Sequence, residues 1–182
     1  MATNEARAVI VTDDRITNAN LLDLTDGGET TLHSHAAGTV ASGRRISVSR
    51  TSDQSINATA WTTVQFDTEN WDKLGEFDNV TNYTFTPSVT GYYDVTALVT
   101  MELLLVTKDA YLRIFKNGTT ELAVGYGRST PQALQASIQL AATLYLLSTD
   151  SIVVQIYNND TVARNVSGNP IETYLCINRV ET

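Results

Sequence analysis

Tyr111-Leu112-Arg113-Ile114-Phe115-Lys116-Asn117-Gly118-Thr119-Thr120-Glu121-Leu122-Ala123-Val124 is the stretch that decides the fold. Asn117-Gly118 lies between two apolar segments. A tight hairpin turn needs positive φ at both central positions, which Asn and Gly adopt at the least cost. The segment therefore predicts an antiparallel strand pair. Working outward, turn signals separate further strand-like runs: Pro87 and Gly91 on one side, Thr149-Asp150 on the other. The predicted strands are Ala60–Asp67, Asn82–Phe85, Gly91–Thr107, Ala110–Lys116, Thr120–Tyr126, Gln135–Leu147, Ser151–Tyr157 and Glu172–Val180. Met101-Glu102-Leu103-Leu104-Leu105 has helical propensity, but its neighbours Val95, Val99, Thr100, Val106 and Thr107 favour a strand. Leu134, Ala136, Ile138 and Leu140 alternate, which also favours a strand. Short strands at this spacing predict an all-β antiparallel sandwich or barrel.

Composition agrees. The hydrophobic fraction of 42% supports a packed core in a chain of 182 residues. The net charge of −8 argues against a nucleic-acid or anionic-membrane surface: the arginines are scattered, and Arg44-Arg45 is too short for a basic patch. No apolar run reaches the length of a transmembrane helix. Met1-Ala2-Thr3-Asn4-Glu5 lacks the basic start and apolar core of a signal peptide. Synthesis in a cytoplasm without signal-directed export is therefore expected. Cys176 cannot form an internal disulfide, and within Tyr174-Leu175-Cys176-Ile177 it reads as a small buried hydrophobe. Asn159-Asp160 reads as a turn, and no acid pair in a recognisable motif points to catalysis. Tyr92, Tyr93, Tyr111, Tyr126, Tyr145, Tyr157 and Tyr174 alternate with aliphatics and read mostly as core or interface residues.

Three regions follow from this pattern. Residues 1–35 hold Ala8-Val9-Ile10-Val11 and scattered leucines, too little apolar surface for a core of their own. They are expected to anchor the chain to sister chains or to a larger assembly. Residues 36–57 are rich in Ala, Gly, Ser, Thr and Arg and read as a linker or a stalk, with a strand conceivable at Arg44–Arg50. Residues 58–182 form the regular head.

The head resembles the complement C1q globular domain, within the tumour-necrosis-factor-like jelly rolls. The resemblance is carried by Val64-Gln65-Phe66, Trp71, Glu76-Phe77-Asp78, Tyr83-Thr84-Phe85-Thr86-Pro87 and Gly91-Tyr92-Tyr93-Asp94-Val95. It continues through Leu112–Gly118, Ala136–Leu147, Thr149–Val154 and Ile171–Val180. Val95 departs from the family, which usually has Phe there, and no collagen-like Gly-x-y stalk precedes the head. The resemblance implies an antiparallel jelly-roll sandwich that assembles as a compact homotrimer, with the last strand central to it.

Leu32-His33-Ser34-His35 holds both histidines of the chain. On an extended backbone His33 and His35 face the same side, roughly 7 Å apart. Two imidazoles make a poor metal site, but three chains about an axis would present six. Such a donor set suits an octahedral Fe, Ni or Co ion with a structural role. The other reading is two loop histidines without a ligand. Ser34 points away from its neighbour His35 on a strand, which excludes a Ser–His nucleophile. Asp26–His35 is similar to segments of bacteriophage fibre proteins, in which His-x-His motifs of three chains surround an axial metal.

These readings converge on a non-enzymatic virion structural protein: a trimeric phage fibre, spike or capsid-decorating knob. Residues 1–35 would contact virion proteins of the capsid, neck or tail, and the head would bind a host-surface glycan or protein or stabilise the shell. The alternative is a soluble bacterial C1q-like trimeric binding module. A glycan hydrolase is disfavoured for want of an acid pair.

Overall fold

The computed structural model describes residues 45–131 and 134–180. They form thirteen strands in two antiparallel sheets. In chain order these are β1 (Arg45–Ser49), β2 (Gln54–Ile56), β3 (Trp61–Thr63), β4 (Thr68–Asp72), β5 (Phe77–Asp78), β6 (Thr84–Phe85) and β7 (Gly91–Met101). Then follow β8 (Asp109–Lys116), β9 (Thr120–Arg128), β10 (Ala136–Leu146), β11 (Ile152–Asn158), β12 (Arg164–Val166) and β13 (Tyr174–Val180). The larger sheet runs β2-β12-β7-β13-β1-β4, with β10 on the free side of β7. The smaller runs β5-β6-β11-β8-β9, with β3 also on β11. This is a jelly-roll sandwich.

Period-two alternation builds the core. From the larger sheet, Ile46, Val48, Tyr93, Val95, Ala97, Val99, Met101, Ile138, Leu140, Leu175 and Ile177 face inward and are buried. They meet Leu112, Ile114, Ile152, Val154 and Ile156 of the smaller sheet, with Phe66 and Phe85 completing the packing. Each such side chain contributes about 1.5–3 kcal/mol by leaving water.

The Asn117-Gly118 hairpin is as expected. Asn117 and Gly118 have φ of 53° and 67°, and Thr119 N donates to Lys116 O at 3.0 Å. Asn117 also links this turn to the next one. Its Nδ2 donates to Asp150 Oδ1 at 2.7 Å, and its Oδ1 accepts from Ser151 N at 2.7 Å. Where the edges of the two sheets meet, β9 presents glycine to β10. A Cβ at Gly127 would lie 2.9 Å from Ile138 Cγ1 and 3.3 Å from Ala136 Cβ. Gly168 is more tightly enclosed: a Cβ there would lie 2.4 Å from the Ser52 carbonyl carbon.

Three sequence expectations are revised. The run 36–57, read as linker or stalk with a strand conceivable at Arg44–Arg50, does hold that strand, and its described part supplies β1 and β2 to the larger sheet. β1 sits between β13 and β4, with Ile46 and Val48 in the core. The strand predicted to Thr107 stops at Met101. Leu103 and Thr107 take positive φ (55° and 65°); Glu102 N still donates to Asn165 O of β12, and beyond it Leu105 N donates to the Asp160 carboxylate. Cys176 alternates with Leu175 and Ile177 and so lies on the outer face, half-buried, with Sγ 3.9 Å from Ser47 Oγ. Of the seven tyrosines read as core or interface residues, Tyr93 lies in the core and the other six lie on the surface of the single chain.

The described chain enters at Arg45, opposite Asn178, and leaves at Val180, opposite Tyr92. Entry and exit therefore share one pole. The loops after Met101 and Asn158 lie at the other.

Candidate functional site

The pair His33 and His35 lies outside the described residues, as does the whole 1–35 segment. Among the described residues no group of three or more His, Cys, Asp and Glu is arranged to hold a metal ion. The described surface has two distinctive faces.

The first is the outer face of the smaller sheet. Ala110, Leu112 and Ile114 of β8 point into the core, so Tyr111, Arg113 and Phe115 point out. Ile152, Val154 and Ile156 do the same for β11, turning Val153, Gln155 and Tyr157 outward. Strand register then aligns Trp61 with Tyr157, Tyr157 with Tyr111, and Tyr111 with Tyr126. The result is an aromatic row across β3, β11, β8 and β9. Ring centroids are 5.4 Å apart for Trp61–Tyr157, 6.1 Å for Tyr157–Tyr111 and 6.5 Å for Tyr111–Tyr126. Tyr126 ends the row and is 71% exposed.

A second row runs beside it: Thr63, Gln155, Arg113 and Val124. Arg113 donates to Gln155 Oε1 through Nε (2.9 Å) and Nη2 (2.7 Å), and reaches Glu121 at 3.4 Å. Its guanidinium carbon sits 4.1 Å from the Trp61 ring centre and 4.0 Å from that of Phe115. Gln155 Nε2 in turn donates to Thr63 Oγ1 at 3.3 Å. The cation thus rests against Trp61 of the row and against Phe115 beside it. At the end of β8 and β9, Arg128 donates to Asp109 at 2.6 and 3.2 Å. The Arg128 hydrogen bond holds the Asp109 carboxyl below its ordinary range.

Just beyond Tyr157 the chain turns into a buried polar clamp. Asn158 is fully buried; its Nδ2 donates to Ile56 O and Val162 O, and its Oδ1 accepts from Asp160 N. Asp160 is 1% exposed. It accepts from Leu105 N (2.9 Å), Thr161 N (2.6 Å) and Arg164 Nε (2.8 Å). Burial alone would raise its pKa, but those two backbone N–H groups and Arg164 outweigh it and bring the carboxyl to about 2. The clamp fixes the loops beside the aromatic row.

The second face is the outer side of the larger sheet, with β13 in its middle. Ala141, Thr96, Cys176 and Ser47 align in one row, and Gln139, Leu98, Tyr174 and Ser49 in the next. Nearer the pole of chain entry, Tyr145 faces Tyr92 with ring centroids 5.1 Å apart; they are 55% and 47% exposed. This face therefore carries small, weakly polar side chains beside exposed tyrosines.

A hollow near Glu76 and Asp78 is less informative, because its carboxylates hold the loop itself. Glu76 accepts from Ser88, and Asp78 accepts from the backbone of Thr81, Val80 and Asn82. The Thr81 N–H contributes most to keeping the Asp78 carboxyl low.

The aromatic row was missed in the sequence, where these tyrosines read mostly as core or interface residues, although one signal for it was present. Tyr111 sits between Ala110 and Leu112, and Tyr157 follows Ile156, a phase that points both rings away from the core. What alternation alone does not provide is the register that brings Trp61 and Tyr126 onto the same line.

No family model and no curated protein matches the chain. Solved structures do match it in fold. Murine APRIL at pH 5.0 superposes with a TM-score of 0.59 at 17% identity, covering 76% of this chain and 99% of that one. Eiger TNF from S. frugiperda gives 0.58 at 11% identity over 76% and 93%. The globular domain of zebrafish complement 1qA protein gives 0.51 at 20% identity over 75% and 94%. The fold is a C1q/TNF-like jelly roll.

Proposed function

We propose that this chain is the head-bearing subunit of a homotrimeric binding protein, carried on a tailed-bacteriophage virion as a fibre, spike or capsid-decorating knob. The observation that carries the trimer is the outer face of the larger sheet. β13 lies in its middle, as the family resemblance implies for the strand central to a trimer. Its neighbours there are small residues, Leu98, Tyr174 and the exposed Tyr92–Tyr145 pair. Closing three copies through this face would bury those rings and leave the aromatic row on the opposite sheet open.

The virion assignment draws on the similarity of Asp26–His35 to phage fibre segments, with residues 1–35 as anchor to capsid, neck or tail proteins. In this reading three pairs of His33 and His35 clamp the trimer through neutral imidazole donors. An octahedral Fe, Ni or Co ion would cross-link the chains there. The role is binding and not catalysis. A fold alone does not assign a role, so the alternative is the same trimer as a soluble bacterial binding module.

Sedimentation equilibrium tests the core of the proposal. The expected mass is that of three 19.9 kDa chains, and Leu98→Asp or Tyr145→Asp is expected to yield monomers. A wild-type monomer at micromolar concentration rejects the trimer. Mass spectrometry of purified virions separates the two settings, since only the virion protein co-purifies through a density gradient.

A further inference from the structure

We propose that the aromatic row Trp61–Tyr157–Tyr111–Tyr126 is a binding platform for an uncharged oligosaccharide. The inference rests on the reading of the head as a binding module and names the chemistry of its ligand.

Register is the first observation. The rings come from four different strands, yet each is paired with the next across the sheet. A row over three strand spacings spans roughly 15 Å, longer than a single sugar ring and suited to a short chain of them. The second observation concerns the polar tips. Among the described residues, the hydroxyls of Tyr111, Tyr126 and Tyr157 and the indole N–H of Trp61 form no hydrogen bond with protein. None of these atoms is buried and unsatisfied. The row therefore presents ring faces and edges together with hydroxyl donors and acceptors. A pyranose has complementary chemistry: an apolar C–H face for the rings and hydroxyls at its rim for the tips. A core function explains the rings' contact with one another but leaves unexplained why Tyr126 closes the row at 71% exposure.

Charge decides between ligand classes. Arg113 is taken up by Gln155 and Glu121, and Arg128 by Asp109. Among the described residues, both arginines that border the row are thus paired with carboxylates, and the chain's net charge of −8 repels anionic glycans. A neutral sugar fits this balance. The Arg113–Gln155–Thr63 chain also fixes the platform before binding, which lowers the ordering cost. Three platforms per trimer would add avidity on a surface bearing repeated glycans.

The test titrates the full chain with neutral hexasaccharides of glucose, mannose and N-acetylglucosamine, alongside hexagalacturonate as the anionic comparator. Calorimetry and tryptophan fluorescence report binding. The expected result is saturable binding of at least one neutral hexasaccharide, stronger than its disaccharide and stronger than hexagalacturonate. Tyr126→Ala, at an exposed position that does not threaten folding, is expected to weaken it about tenfold or more, or about 1.4 kcal/mol. Trp71→Phe, on the other sheet, is expected to leave it unchanged. No binding of any neutral hexasaccharide overturns the proposal. So does binding that survives both Tyr126→Ala and Tyr111→Ala, or a preference for the anionic chain. Sedimentation of the same samples keeps the two readings apart: a trimer that ignores sugars loses only this inference, whereas a monomer loses the trimeric head.

Discussion

Replacing Asp160 with Asn is expected to cost the head about 3 kcal/mol at pH 7. Asp160 is buried and accepts from Leu105 N, Thr161 N and Arg164 Nε. Asn keeps the shape but offers one acceptor oxygen and turns an NH₂ group toward one of those donors. Arg164, whose side chain is 16% exposed, then loses its carboxylate. Removing one partner of a buried pair typically costs about 3–5 kcal/mol, and the partly exposed arginine places this case at the low end. The pH dependence is the sharper part. A carboxyl held at about 2 in the folded chain, against an ordinary 3.8, contributes on the order of 2 kcal/mol. Because the folded pKa is the lower one, that contribution is fully present above about pH 4. It is lost as pH falls toward 2. The gap between wild type and Asp160→Asn should therefore shrink to about 1 kcal/mol near pH 2. Asp67, Asp78, Asp109 and Asp150 are also lowered, but they titrate in both proteins and cancel in the difference. Urea unfolding followed by tryptophan fluorescence, at one fixed protein concentration, measures the gap. A gap under about 1 kcal/mol at pH 7, or one that is the same at pH 2.5 and pH 7, refutes the clamp.

Other outcomes follow from the same geometry. Gly168→Ala should destabilise more than Gly127→Ala, because the first meets the Ser52 backbone and the second a movable Ile138 side chain; about 1–3 kcal/mol is expected for Gly127→Ala, and Ile138→Val in the same chain should recover part of it. Comparing thermal midpoints of the single and double variants checks both points. Gly118→Ala should cost about 1 kcal/mol for its positive φ. Asn117→Ala should cost more, because the links to Asp150 and Ser151 go with it, and chemical denaturation ranks the two. For the proposed clamp, metal analysis should find about one transition-metal ion per trimer, lost in His33→Ala/His35→Ala and released below about pH 6 as imidazole protonates; a metal-free wild-type trimer removes the clamp and leaves the jelly roll.

What the chain reveals in advance depends on where each strand finds its partners. The Asn117-Gly118 hairpin and the long strands β7, β8, β10 and β11 show themselves because their alternation is internal. β1 has only Ile46 and Val48 as apolar markers, flanked by Ser and Arg, and is a strand because β13 and β4 hold both its edges. β4, Thr68-Glu69-Asn70-Trp71-Asp72, has no buried residue, since it lies at a sheet edge and little of it must face the core. Asp160 was read correctly as a turn residue. Its burial was hidden, because the loop it secures, Leu103–Thr107, lies more than fifty residues away in sequence. The row of rings was missed: the tyrosines read as core or interface residues, although phase alone turns Tyr111 and Tyr157 outward, and only cross-strand register unites them with Trp61 and Tyr126.

The shared pole of Arg45 and Val180 has a practical consequence for engineering. A peptide or fluorophore fused after Val180 would emerge beside the start of β1. The length of β7 would separate it from the loops after Met101 and Asn158, about 35 Å at the rise of an extended strand. Cargo placed there leaves the far pole unobstructed, so the head can serve as a display scaffold whose payload and whose distal loops face opposite directions.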